Sequence, residues 1–574
     1  MNPMIRRGLF AASAVTLAAV LCAPAASAAP AGSGLSYTES EPATAAGRND
    51  SPATAQRLAA LGTAWWQQRT ASVHGTLSPA PVAIQPGTED DGSIELATAT
   101  GIGSNGRAAI TTSGVLGDGP HGNLGDKTGD FDFYQLAGTA GQTVTVSTAG
   151  SIASTNTVVG LYDAAGALLA SDDNGGGGLA SKLTYTLTAS GDYYVVVAGQ
   201  SAAGSLPADP HNSGSGHGGA DTGAYQLLIA SAPVDKDFFA VQLAKGDVLG
   251  AALASSGKRL TVVKPDGTQA VSSDRIASTK LPASSPLPRG AVDLAYVADR
   301  AGLYSVSVTD GFGPYDLTLG TYRPGTESAA APQTFFLDFD GGQIDTTPLG
   351  GSGVKQLSGL AAYLPNWGLT AADESAVIDK VVAVVTENVR SELKGKSSNP
   401  NVDVRIRNSR DDADTFGRPG ISRVVVGGGT AESGISRIGS AQSVDPGNFD
   451  QQETALVQLD RISAAGGAAS INRYLSADSD RVGFVGQAIG NLVSREIGHL
   501  VGDYDTDPAS PVANLMDADG NFPGLYGVGA DGIGGTADDV DVDFGKDAYN
   551  PALGLTGTQD TLNVAAWGLT GPCS

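Results

Sequence analysis

The hydrophobic pattern along the chain changes its period once. In the first half, apolar residues alternate with small or polar ones: Phe131 and Phe133, Val144 and Val146, then Tyr193, Val195 and Val197. A period of two between Gly-rich turns predicts antiparallel strands packed as a sandwich. Beyond Arg323-Pro324-Gly325 the period lengthens. Val377, Ile378, Val381, Val382, Val385, Val389 and Leu393 fall on one broad face of a helix over 374–393. Val485, Ile489, Leu492, Val493, Ile497 and Leu500 do the same over 483–501. Compact apolar runs at 334–339, 402–406, 422–426 and 454–459 read as strands, so 330–574 is expected to be an α+β unit.

The alternating region repeats itself. Phe133-Tyr134-Gln135-Leu136 is echoed by Phe238-Phe239-Ala240-Val241, and Gly223-Ala224-Tyr225-Gln226-Leu227 by Gly313-Pro314-Tyr315-Asp316-Leu317. Strand order holds while loop lengths vary, which predicts two copies of one β-sandwich over 88–231 and 232–323. Residues 29–87 are rich in Ala, Ser, Thr and Pro and read as a pro-segment or linker. One docking helix, carrying Trp65 and Trp66, is expected there over 55–68. At the start, Arg6 and Arg7 precede a short apolar run and Ala26-Ser27-Ala28. That is the form of a signal peptide over 1–28, too short in its apolar part for a membrane span. The expectation is a secreted, extracellular protein with no membrane insertion.

Composition narrows the function classes. The formal charge of −25 argues against a phosphate-binding surface, so nucleic acid is not an expected partner. It favours divalent cations instead. Only Cys573 follows the leader, so internal disulfides cannot brace the fold. Calcium is the expected cofactor, because acidic loops supply the oxygens it needs. Glu89, Asp91, Asp118 and Asp130 are candidates around the first sandwich, and Asp531, Asp538, Asp539 and Asp541 in the acidic tract near the end.

The stretch 129–134, the hairpin 161–173, the run 191–197 and Gly223-Ala224-Tyr225 resemble the bacterial pre-peptidase C-terminal domain. The second copy is similar but lacks the acidic Asp172-Asp173-Asn174 tip of the first. The resemblance implies jelly-roll-like accessory modules of secreted proteases. Some members bind calcium, and some bind matrix or wall polymers.

The second long helix ends Arg495-Glu496-Ile497-Gly498-His499-Leu500-Val501-Gly502-Asp503-Tyr504-Asp505. It is similar to H-E-x-x-H-x-x-G-x-x-H, the zinc signature of metzincin peptidases. In that pattern two His four apart share a helix face, the Glu serves as general base, and the Gly turns the chain back to a third ligand. The resemblance implies Glu496 as catalytic base, His499 and Asp505 as zinc ligands, and Met516 in the Met-turn beneath them. Arg495 stands where the first ligand belongs, and a guanidinium has no lone pair to give. It is expected to pair with Asp505 or Glu496 in the ion's place. Of the five His, 74, 121, 211, 217 and 499, only His499 lies in this unit.

The fold class expected is therefore multidomain: two β-sandwich, jelly-roll-like domains followed by an α+β metzincin-like domain. Two functions remain open. One is zinc-dependent peptide-bond hydrolysis, impaired by Arg495. The other is a non-catalytic pseudopeptidase that binds extracellular proteins, peptides, or wall or matrix polymers.

Overall fold

The computed structural model describes residues 34–571, apart from 42–47, 79–80, 88–89, 105–106, 120–129, 152–153, 203, 216–220, 232–234, 276–279 and 326–331. The expected leader, Glu89, His121, His217 and Cys573 lie outside the described residues.

Alternating residues form the first sandwich as the pattern requires. One sheet runs Leu168–Asp173, Thr157–Asp163, Gly191–Gly199, Phe131–Gly138, Thr98–Ala99 in spatial order. The other runs Lys182–Thr186, Thr143–Ser147, Gly223–Ser231, Ala109–Leu116, Val82–Ala83. Leu136, Val144, Val146, Leu161, Val195, Val197, Tyr225 and Leu227 fill the space between them.

The second sandwich repeats this strand order. Gln269–Ser273, Arg259–Val263, Gly302–Thr309, Asp237–Leu243 and Gln56–Arg57 make one sheet. Val292–Val297, Val248–Leu253, Gly313–Tyr322, Thr70–Leu77 and Leu35–Thr38 make the other. Three of its strands therefore come from the segment expected to be a linker. The second sandwich is discontinuous, and the first is inserted into it between Leu77 and Asp237. The physical reason is pairing. Without Thr70–Leu77, Gly313–Tyr322 would be left with one whole backbone edge open.

The expected docking helix at 55–68 is not present. Gln56–Arg57 is a strand, Leu58 and Leu61 are buried in the second core, and the rest of the segment turns. Trp65 and Trp66 project from that turn, 87% and 60% exposed.

The α+β unit has a five-stranded sheet in the order Val404–Asn408, Gln333–Asp338, Ile421–Val426, Thr454–Val457, Gly439–Ala441. The first four are parallel, and Gly439–Ala441 runs antiparallel at the edge. The helix expected over 374–393 is an α-helix over Glu374–Thr386, then a π-helical turn over Glu387–Glu392. It packs against the Arg481–Leu500 helix. Val377, Val381, Val385, Phe484, Val485, Ile489 and Val493 are all in the shared core. The unit is not self-contained. Leu555–Asp560 extends a sheet of the second sandwich by pairing onto Gln269–Ser273, and Lys546–Ala548 pairs onto Leu555–Asp560 in turn.

Candidate functional site

The Arg481–Leu500 helix positions the site. It starts on Asp480, whose carboxylate accepts from the Gly483 backbone N–H, and its final turn carries Arg495, Glu496 and His499, all buried. Two glycines allow the close packing there. A Cβ on Gly498 would lie 2.5 Å from the Met516 sulfur. Gly502 has φ +116°, and its Cβ would meet Pro446 Cα at 2.5 Å. The chain thus turns sharply after the helix and brings Asp505 back to the side chains of the last turn.

Arg495 is the hub. Its Nη1 donates to Glu496 Oε1 at 2.8 Å, its Nη2 to Asp505 Oδ1 at 2.6 Å, and its Nε to the Asp517 carbonyl at 3.1 Å. The guanidinium therefore bridges both carboxylates. His499 Nδ1 donates to the Asp503 carbonyl at 2.8 Å, leaving Nε2 3.3 Å from Asp505 Oδ1. Thr506 and Asn521 donate to the Asp517 carboxylate and hold that loop in place. Met516 is fully buried, with its sulfur against Gly498 of the helix.

Electrostatics lock the arrangement. Burial works against charge on Arg495, but the carboxylates of Asp505, Glu496 and Asp519 outweigh it and raise the guanidinium above its ordinary value. Burial alone would raise Asp505, yet Arg495 and His499 hold it well below the usual carboxylate range. Burial dominates at Glu496 and pushes it up, only partly opposed by Arg495 and His499. Glu496 is 1% exposed and is roofed by the edge strand, where a Cβ on Gly439 would lie 2.1 Å from its Oε1.

These residues do not fit a zinc ion. His499 Nε2 and Asp505 Oδ1 keep a spacing close to that of two tetrahedral zinc ligands, about 3.3 Å for bonds of about 2.0 Å. The guanidinium takes the third place, and it brings positive charge and hydrogen-bond donors only. No other described His supplies a donor. His74 pairs with Asp316, and His211 pairs with Glu95 of the first sandwich.

The calcium candidates of the first sandwich are placed as follows. Asp91 accepts from Thr98 Oγ1, Asp118 is exposed, and Asp130 accepts from the Gly117 and Gly119 N–H groups. Among the described residues no three acids that include any of them gather within 4.8 Å. In the acidic tract, Asp531, Asp538 and Asp539 cap their own turns, accepting from Ile533, Asp531 and Gly535 N–H groups. Asp541 lies instead beside Glu387, Glu392 and Asp543.

Sequence reasoning missed a cluster in the second sandwich. Glu39, Glu41 and Asp237 bring carboxylate oxygens within 4.8 Å of one another, and Glu41, Asp50 and Asp235 do the same. Glu39 Oε1, Glu41 Oε1 and Asp237 Oδ1 are buried with no hydrogen-bond partner, as are both amide atoms of Asn49. Burial, with Glu39 adding to it, pushes Asp237 up to about 9, and burial raises Asp235 to about 6. Tyr315 donates to Asp237 as Tyr225 does to Asp132 in the first copy, which fixes the equivalence of the two strands. The signal was present as Glu39-Ser40-Glu41 and Asn49-Asp50, within a stretch read as linker.

Comparison with known families bears on the first sandwich. Residues 130–199 match the bacterial pre-peptidase C-terminal domain. This PPC domain covers the strands from Phe131 to Gly199, including the Asp132 strand. Among solved structures, the chain is similar to PliG of Aeromonas hydrophila, a periplasmic inhibitor of g-type lysozyme, at 16% identity over 26% of this chain and 97% of that one, with a TM-score of 0.14. It is similar to the pre-peptidase C-terminal domain of a Bacillus anthracis collagenase at 13% identity over 26% and 95%, TM-score 0.14. PliG of Salmonella Typhimurium matches at 17% identity over 15% and 80%, TM-score 0.12. A search of curated proteins gave no match. Among the described residues no helix is long and apolar enough to cross a membrane.

Proposed function

We propose that the chain is an exported, calcium-braced pseudopeptidase that binds extracellular protein, peptide, or wall or matrix polymer through its sandwich modules. The carrying observation is the Arg495 guanidinium bridging Glu496 and Asp505. In a metzincin-like site Glu496 would take a proton from water bound beside it. Here its Oε1 accepts from a fixed cation and the side chain is closed off from solvent. A base that is already ion-paired and shut off from bulk solvent performs no hydrolysis. The buried Met516 below the helix and the sharp turn at Gly502 support descent from a metal-binding scaffold. The match of residues 130–199 to the pre-peptidase C-terminal domain supports the binding role, since that resemblance implies modules of which some bind matrix or wall polymers.

Calcium enters this reading through the second sandwich. Its carboxylate oxygens Glu39 Oε1, Glu41 Oε1 and Asp237 Oδ1 are buried without a hydrogen-bond donor, and all-oxygen donors suit calcium. Glu39, Glu41, Asp50, Asp235 and Asp237 would hold it.

Zinc content of the parent and of Arg495→His tests the proposal. After dialysis against zinc, the parent is expected to retain none at this site and to leave casein uncleaved. Folded Arg495→His is expected to retain about one zinc per chain, as three ligands are then present. Stoichiometric zinc with proteolysis in the parent would overturn the pseudopeptidase reading. A folded Arg495→His that gains no zinc would overturn the descent from a metal site.

A further inference from the structure

A second acidic cluster lies away from Arg495, where the π-helical turn meets the chain's acidic tail. Glu387 and Glu392 are five residues apart. In an α-helix they would point about 140° away from each other. The π register pairs residue i with i+5, so it stacks the two carboxylates on one face. Asp541 and Asp543 flank the buried Val542 and lie in the same cluster. Carboxylate oxygens of all four lie within 4.8 Å of one another. Opposite ligands of calcium stand about 4.6–5.2 Å apart, so the set matches its coordination sphere.

A second observation points the same way. The Glu392 side chain is 4% exposed, and its Oε2 has no hydrogen-bond partner. It faces Glu387 and Asp543, and burial with those neighbours pushes it up to about 8. Asp543 Oδ1 is also buried and unpartnered. Lys396 reaches Glu392 Oε1 and Asp543 Oδ2, but it leaves those two oxygens unanswered and is itself half exposed.

We infer that Glu387, Glu392, Asp541 and Asp543 form a calcium site that staples the acidic tail to the π-helical turn. The inference stands apart from the pseudopeptidase reading and from the sandwich cluster. The donor set is all carboxylate, with no His or Cys, which selects a hard cation over zinc. Asp541 is exposed and gives the ion its way in. The ion's effect reaches further along the backbone. The Asp543 carbonyl accepts from the Leu515 N–H, so pinning Asp543 steadies the loop that carries Met516 beneath Arg495.

Amide hydrogen exchange on the full chain tests this with calcium alone as the probe. At calcium ten times its dissociation constant, exchange through local opening is expected to slow about tenfold in both 387–396 and 540–545. Glu387→Gln/Asp541→Asn changes only side chains that reach solvent, so the fold is kept, and the slowing is expected to vanish in both segments. No calcium-dependent slowing in either segment of the parent, or equal slowing in the double variant, would overturn the site.

Discussion

Arg495→Ala is expected to lower the free energy of unfolding of the α+β unit by about 3–5 kcal/mol at pH 7. The substitution removes one charge and strands two. Glu496 and Asp505 keep their buried places, while the donor that served both is gone. The Asp517 carbonyl loses its partner as well. The sign of the pH dependence follows. In the parent, Asp505 is held well below its ordinary value, so its contribution is present above about pH 4 and is lost only as pH falls through that depressed value. In the variant, burial is left as the main influence and raises both carboxyls. The native state then binds more protons than the unfolded one above about pH 4, and stability falls as pH rises. The loss is therefore expected to be larger at pH 8 than at pH 5. Denaturant melts followed by Trp367, which is fully buried in this unit, supply the measurement. A difference below about 1 kcal/mol at both pH values would mean that the ion pairs contribute no more than surface ones.

Calcium is expected to stabilise the second sandwich by about 4 kcal/mol when present at a thousand times its dissociation constant. In a chelator, the raised carboxyls Asp235 and Asp237 keep protons in the native state that the unfolded chain has already released. Stability then falls as pH rises from about 4, where the unfolded carboxyls titrate, through 6 and towards 9. Calcium takes the protons' place, so its stabilising effect grows over the same window. Asp237→Asn is expected to flatten the slope in chelator and to remove most of the calcium response. Melts at pH 5, 7 and 9, with and without calcium, measure both. Curves that coincide with and without calcium at pH 9 would rule the site out.

The sequence made local structure legible wherever periodicity was long and one-sided. The Arg481–Leu500 helix, the parallel strands of the α+β unit and the repeat between Phe133 and Phe238 are where the pattern places them. The partner choice at Arg495 was also legible, because a permanently charged donor beside two carboxylates has few ways to be satisfied in a closed site. What was hidden depends on distant pairing. Leu35–Thr38 and Gln56–Arg57 are too short to show a period; Gln56–Arg57 forms on the distant Asp237–Leu243, and Leu35–Thr38 on Thr70–Leu77, which itself forms on the distant Gly313–Tyr322. With that segment misread, its carboxylates could not be added to Asp235 and Asp237. The π-helical turn was hidden for a different reason. The apolar face through Val385, Val389 and Leu393 continues across it, so the hydrophobic pattern alone does not register the change in pitch.

The insertion of one sandwich into the other sets an order on folding. His74 meets Asp316 across 242 residues of sequence in one sheet of the outer sandwich, and the strand that extends its other sheet ends at Asp560. The inner sandwich can close as soon as its own strands have been made. The outer one must wait for Gly313–Tyr322 before Thr70–Leu77 has its partner, and it then closes a loop whose entropic cost is reduced because the inner sandwich is already compact. A nascent chain therefore carries a finished small module on an unfinished frame. The contact that completes the frame, Leu555–Asp560 on Gln269–Ser273, is made last.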